Sequence, residues 1–263
     1  MAELFIKQAE QYAAGRPTYP SELFEFIASK TPCKHLAWDV GTGSGQAARS
    51  LAGIYTNVIA TDTSTTQLNF APKLPNVRYR HTSPTMSAVE LERNVAPQSS
   101  IDLVTIAQAI HWFDLPNFYQ HVKWVLKKPH GIIAAWCYTV AEVNDSVDAL
   151  FQPFYDIASA PYWDPVRELV DDKYRGIYFP FEPVEGADHT GPSQFTSKRL
   201  MNLDNYFTYI RSWSAYQTAR EKGVELLSDA VIEEFKRAWI EDGQDQKVVK
   251  FPVYLRIGRV GNM

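Results

Sequence analysis

An apolar segment, His35-Leu36-Ala37-Trp38, runs into Asp39 and then into Val40-Gly41-Thr42-Gly43-Ser44-Gly45, three alternating glycines that open a helical stretch. Glycine lacks a Cβ and tolerates the left-handed turn, so backbone here can approach a nucleotide-like ligand closely at a helix N-terminus. A second acid, Asp62, closes the next hydrophobic run twenty-one residues after Gly41, about where a ribose-binding acid falls in a βαβ nucleotide unit. That junction constrains the chain to parallel strands joined by helices, with a ligand outside the carboxyl ends of the strands.

Three ligand chemistries compete for such a loop. A Walker-type phosphate loop ends in Gly-Lys-Ser/Thr, and here Gly45 is followed by Gln46 and Ala47, so its lysine is missing. A dinucleotide fingerprint is harder to separate, because Gly43-Ser44-Gly45-Gln46-Ala47-Ala48 satisfies the relaxed G-x-G-x-x-A form. Asp39 tilts the balance. Beside a pyrophosphate it adds an unfavourable Coulomb term, whereas beside the sulfonium and ammonium of S-adenosylmethionine it is favourable. The plainer alternative is a glycine turn in which Asp39 caps the next helix.

Along the chain, two short helices are expected in the first thirty residues, separated by Gly15-Arg16-Pro17-Thr18-Tyr19-Pro20. Strands follow at 36–40, 57–61, 77–81, 101–107 and 131–138, with helices at 44–52 and 65–70. Asp114 and Pro116 open a further helix with Phe118, Tyr119, Val122, Val125 and Leu126 on its inner side. Strand and helix alternating at this spacing predict a parallel sheet covered on both faces. Residues 141–192 read as irregular and aromatic, and a segment of that length is usually functional. A strand at 194–201, helices near 203–213 and 229–241, and a near-edge strand over 247–260 with Pro252 inside it complete the reading.

Length and composition narrow the function classes. The 263 residues allow one large domain or a domain with a substantial insertion, and 45% hydrophobic content indicates an ordinary packed core. A net charge of −4 gives no footprint for nucleic acid. No basic-then-apolar leader opens the chain and no run of about 18 apolar residues occurs, which predicts a cytoplasmic protein without membrane partners. Cys33 and Cys137, both in apolar sequence surroundings, make neither a disulfide framework nor a zinc site. The six histidines lack metal-ligand spacing, and no G-x-S-x-G elbow is present.

Three stretches together carry a family resemblance that covers nearly the whole chain: Asp39–Gly45 with Asp62, Gln108-Ala109-Ile110-His111-Trp112-Phe113 after strand four, and Gly15–Pro20. The sequence resembles the class I S-adenosylmethionine-dependent methyltransferases, in a small-molecule branch of embryo-abundant-type plant and fungal proteins related to trans-aconitate methyltransferases. One departure is Lys128-Pro129-His130-Gly131, where relatives often have two glycines; it falls on the face away from the cofactor. The resemblance implies a Rossmann-like α/β fold with a seven-stranded, mostly parallel sheet, helices on both faces and an inserted substrate cap. It also implies a single methyltransferase domain: a core over about 30–140 and 193–263, an N-terminal lid over 1–30, and a cap over about 141–225.

The carboxyl-end rule selects Asp39 and the loop glycines Gly41, Gly43 and Gly45; Asp62 with Thr63; His81-Thr82-Ser83-Pro84; and Ala107-Gln108. By resemblance, Asp62 accepts from both ribose hydroxyls, backbone near Gly41 and Gly43 meets the amino-acid part, and Ser83 to Met86 flank adenine. Arg16 with Tyr12 and Tyr19 is either a bidentate grip on the cofactor carboxylate within a lid, or a solvated turn beside packed tyrosines. His111 and Trp112 face the expected transfer site. There His111 positions the acceptor or takes its proton, and Trp112 borders the sulfonium or the acceptor. The expected reaction is methyl transfer from S-adenosylmethionine, leaving S-adenosylhomocysteine, to a small-molecule carboxylic acid. Phenol O- or amine N-methylation is the alternative, and a nicotinamide-dependent oxidoreductase and a non-catalytic binding or storage protein are the rivals. A monomer or homodimer is expected.

Overall fold

The computed structural model describes residues 17–262. Its centre is four strands whose apolar runs are buried on both faces: β1 (Leu36–Val40), β2 (Asn57–Asp62), β4 (Leu103–Ala107) and β5 (Ile132–Tyr138). With β3 (Val77–His81), β6 (Ser193–Met201) and β7 (Lys247–Arg259) they form a seven-stranded sheet in the order β3-β2-β1-β4-β5-β7-β6. The first five strands pair in parallel, and β5 pairs antiparallel with β7 from Ile132↔Arg259 to Tyr138↔Val253, so the sheet is mixed. The chain moves outward from β1 through β2 to β3, then returns to place β4 on the other side of β1. That reversal opens a crevice at the carboxyl ends of β1 and β4.

Period-2 alternation decides which helix covers which face. Trp38, Ile59, Val104, Ile106 and Ile133 share a buried cluster with Phe118, Val122 and Val125 of the helix Leu115–Val125. From the opposite face Trp136 meets Phe24 of α1 (Ser21–Lys30), ring centroids 5.8 Å apart, so helices cover both faces. At the amino ends of the strands, the buried Asp102 accepts from the backbone N–H groups of His35 and Leu36, both at 2.9 Å, and from Lys127 Nζ at 2.7 Å. This carboxylate pins β1 beside β4.

The remaining helices are α2 (Gln46–Ala52), α3 (Thr65–Asn69), α4 (Ala88–Asn94), α5 (Leu115–Val125), α6 (Asp145–Pro153), α7 (Arg167–Asp171), α8 (Leu203–Arg211), α9 (Ser214–Glu221) and α10 (Asp229–Ile240). The described residues fall into two compact units. One holds Thr18–Thr139, Glu168–Phe195 and the chain from Val253; the other holds Val140–Arg167 and Thr196–Pro252. The second unit is built on aromatic edge contacts, with Phe151, Tyr155 and Tyr209 all meeting Trp213 at 5.6–5.7 Å.

Several expectations need correcting. The first part of 141–192 is not irregular: Asn144 caps α6 through its side chain, and Pro153, which has no N–H to donate, lies where α6 widens into a π turn over Phe154–Ala158, whereas 172–192 holds no helix or strand. Helix α4 was not anticipated, although Ser87 and Glu90 form a capping box at its start. Helix α9 was also missed. Strand β7 alternates in exposure only over its first four residues, because from Phe251 onward both faces are covered. Pro252, which has no N–H to donate, sits just past Val253, the last β7 residue that pairs with β5. Cys33 is exposed rather than apolar in its surroundings, while Cys137 is buried. No helix among the described residues is long and apolar enough to cross a membrane.

Candidate active site

The loop after β1 is shaped by left-handed backbone and by two acids. Gly41 and Gly45 sit at φ +65° and +83°; a Cβ would lie 2.8 Å from Ala109 Cβ at the first and 2.7 Å from Tyr79 Oη at the second. Both positions therefore need glycine for conformation and for space. The Thr42 N–H donates to Thr61 O at 3.0 Å, which carries the β1–β2 pairing into the loop. Asp62, at the end of β2, accepts from the Gly43 N–H and the Ser64 N–H, both at 2.8 Å, so its carboxylate is aimed by backbone on two sides.

Asp39 lies beneath this loop and is fully buried. Thr42 and Thr105 each donate a hydroxyl to it, Thr105 at 2.7 Å. Burial pushes its pKa up to about 6; the two hydroxyl bonds oppose that shift and the nearby charge of Asp62 adds to it. It underpins the loop rather than lining the cavity.

The cavity has a volume of about 450 Å³, inside the range of small-ligand sites. Trp38, Val40, Gly41 and Thr61–Thr63 form its floor, Thr82–Met86 one wall, and Trp112, Phe113, Asp114, Asn117, Phe118 and His121 the other. Of the sequence-selected residues it brings together Gly41, Asp62, Thr63, Thr82 to Met86 and Trp112, but not His81. Sequence reasoning missed Asn117 and His121 as wall residues. Their spacing with Asp114 and Phe118 is one helical stripe, a pattern present in the sequence, of which only Phe118 is expected on the inner side and Asp114 only as the helix opener. Desolvation lowers the pKa of His121, which favours the neutral imidazole.

The segment after β4 places its residues differently. Gln108 takes φ +56°, and its side-chain amide accepts from the Tyr138 N–H at 2.9 Å and donates to Tyr138 O at 3.3 Å. It stitches the ends of β4 and β5 together and, like Ala107, is not part of the cavity lining. Gly43 and Gly45 lie in the loop without lining the cavity either. His111, expected to face the transfer site, is not among the lining residues: it sits half-buried in a 3₁₀ turn (Ile110–Trp112), with Nδ1 2.8 Å from Tyr174 Oη and its ring 5.1 Å from that of Trp112. Trp112 is 56% exposed and lines the cavity. Tyr19 packs edge-on against Trp136 at 5.3 Å. Tyr12 and Arg16 lie outside the described residues.

A family model described as a methyltransferase domain matches residues 38–135, the stretch from β1 to β5. A protein named as a methyltransferase in Dictyostelium discoideum is 33% identical over 257 residues, covering 95% of this chain and 92% of that one. One from Saccharomyces cerevisiae, named as an S-adenosylmethionine-dependent methyltransferase, is 27% identical over 256 residues, 87% of each chain. The chain belongs to the S-adenosylmethionine-dependent methyltransferases. A solved structure from Anaeromyxobacter dehalogenans, named as a type II methyltransferase, superposes with a TM-score of 0.79 at 29% identity, covering 94% of this chain and 99% of that one.

The cofactor of this methyltransferase is S-adenosylmethionine, and the cavity residues suit it. A carboxylate offers about four lone-pair sites, and two backbone N–H groups occupy two of those on Asp62, which leaves capacity for two ribose hydroxyls. The Thr82–Met86 wall facing Phe113 and Phe118 offers apolar surface for a flat base. Gly41, where a Cβ has no room, lets loop backbone border the ligand.

Proposed function

We propose that this methyltransferase forms methyl esters on a small-molecule carboxylic acid, as the embryo-abundant and trans-aconitate branch it resembles implies. The bound cofactor supplies an electrophilic sulfonium methyl. What the chain must supply is alignment of the acceptor oxygen with that methyl and exclusion of water. A carboxylate is already ionised at neutral pH and needs no general base.

The observation that carries this reading is the setting of His111. Its Nδ1 is engaged by Tyr174 Oη at 2.8 Å and its ring lies 5.1 Å from that of Trp112, so the imidazole is held in one place behind a residue that lines the cavity. A held imidazole suits orientation of an oxygen acceptor, and Trp112 adds an aromatic face for the sulfonium or the acceptor. Asp62, Thr63 and Ser83 bind the nucleoside, and the loop backbone near Gly41 and Gly43 meets the amino-acid end. We place the reaction in the cytoplasm, with a small molecule as partner and neither nucleic acid nor membrane involved.

The test is a screen with methyl-labelled cofactor over carboxylic acids, phenols and amines. Base-labile label on acids is the expected result. Label found only on phenols or amines, in base-stable form, overturns the ester assignment.

A further inference from the structure

His111 can offer its neighbours either a lone pair or an N–H, and the tautomer decides which. The residue that meets its Nδ1, Tyr174, is fully buried, and both Lys173 and Tyr174 are left-handed at φ +61° and +59°. A bulky side chain rarely adopts that conformation, and it persists only where the surroundings over-determine it. Here they do. Arg256, itself 8% exposed, donates through Nη1 to Tyr174 O at 2.8 Å and to Ile177 O at 3.2 Å, and through Nη2 to Thr190 Oγ1 at 3.0 Å. The Tyr174 N–H donates to Leu169 O at 2.9 Å, and Lys173 Nζ lies 4.9 Å from the centre of the Tyr254 ring. On the other side of the bond, Gln108, three residues before His111, is the left-handed residue stitched to Tyr138. Both partners of the Tyr174–His111 bond are thus presented by strained backbone under clamps, a pattern that clusters at functional sites.

A phenol O–H is a stronger acid than a neutral imidazole N–H, and an imidazole nitrogen is the better acceptor, so the favoured direction is O–H to Nδ1. We propose that Tyr174 is a positioning residue for His111. Its hydroxyl donates to Nδ1 and fixes the proton on Nε2, so that His111 offers the methyl acceptor a hydrogen-bond donor and not a base. Arg256 serves the same end by holding the Tyr174 backbone. The assignment rests on the reading that His111 meets the acceptor, and it narrows the acceptor to one presenting an anionic oxygen.

Long-range proton–nitrogen NMR of the full-length protein labelled with ¹⁵N-histidine and saturated with S-adenosylhomocysteine reads the tautomer directly. The His111→Asn spectrum assigns the ring. The expected result, at a pH where the ring is neutral, is a protonated Nε2 and an Nδ1 resonance shifted by an accepted hydrogen bond. Tyr174→Phe is expected to move Nδ1 towards its unbonded position while S-adenosylhomocysteine affinity stays within twofold. A proton on Nδ1 in the wild type overturns the assignment, as does an Nδ1 resonance unmoved in Tyr174→Phe. If that variant does not fold, the wild-type tautomer decides alone. A protonated Nδ1 leaves ester formation standing, whereas label found only on amines removes ester formation without changing the tautomer.

Discussion

Asp39 and Asp62 close adjacent strands and differ in what surrounds them. Asp62 has two backbone donors and a face on the cavity, so its removal should strike the cofactor. Hydrogen bonds to a charged group are worth about 1.5–3 kcal/mol each, so Asp62→Ala is expected to weaken S-adenosylhomocysteine by at least about 100-fold in calorimetric titration. An affinity within twofold of wild type removes Asp62 from the site. For Asp39 the effect lies in stability. Its folded pKa stands near 6 against an ordinary 3.8, so the folded state holds the proton longer than the unfolded chain. Its contribution is fully present below about pH 4 and is lost as pH rises through 6, on the order of 3 kcal/mol in all. Asp39→Asn keeps a partner for both Thr hydroxyls and has no charge to desolvate. Urea titrations from pH 4 to 7 should show the wild type losing stability relative to this variant; parallel curves refute the buried-charge argument. The two acids were legible from their spacing around the glycine loop. Their environments were not, because Thr105 comes from a strand 66 residues away, and Tyr174, which meets His111, from a segment 63 residues away.

At the scale of elements, local pattern carried the central strands and α5 well, since each has a buried face of regular period. It failed where proline and aromatic residues obscure the period, as in α6, whose apolar face still buries Val147 and Phe151. Helix α4 was missed for a different reason: its capping box was visible, but only Leu91 is buried, too little apolar signal to mark a helix. Turn glycines give a sharper test of what an element junction requires. Gly45 and Gly223 share left-handed backbone at φ +83° and +76°, but a Cβ at Gly45 meets Tyr79 Oη at 2.7 Å, whereas at Gly223 it meets nothing within 4 Å. Alanine at either position costs about 1–2 kcal/mol of backbone strain. Gly45→Ala is expected to lose a further ~1–3 kcal/mol from the clash with a packed ring. Chemical denaturation of the two variants should separate them by that margin; equal losses show that the Tyr79 ring yields freely.

Across the whole molecule, the site is a polar exception set into an apolar sheet. Among the described residues, the cavity lining carries the carboxylates of Asp62 and Asp114 and no lysine or arginine. A ligand with two phosphates would bring its charge against both acids with no lysine or arginine among the described lining residues to offset it, whereas S-adenosylhomocysteine carries no phosphate. Ligand linkage converts that difference into stability. A compound bound only by the folded state at 100 times its dissociation constant adds about 2.7 kcal/mol. For a protein of this size that corresponds to a rise in Tm of roughly 5–10 °C. S-adenosylhomocysteine is expected to give such a shift and NAD none, with the S-adenosylhomocysteine shift absent in Asp62→Ala. The Asp62 arm matters because a shift that survived it would come from binding elsewhere on the chain. An NAD shift equal to that of S-adenosylhomocysteine at the same concentration would overturn the charge argument, since it would require the acids of the lining to tolerate a pyrophosphate.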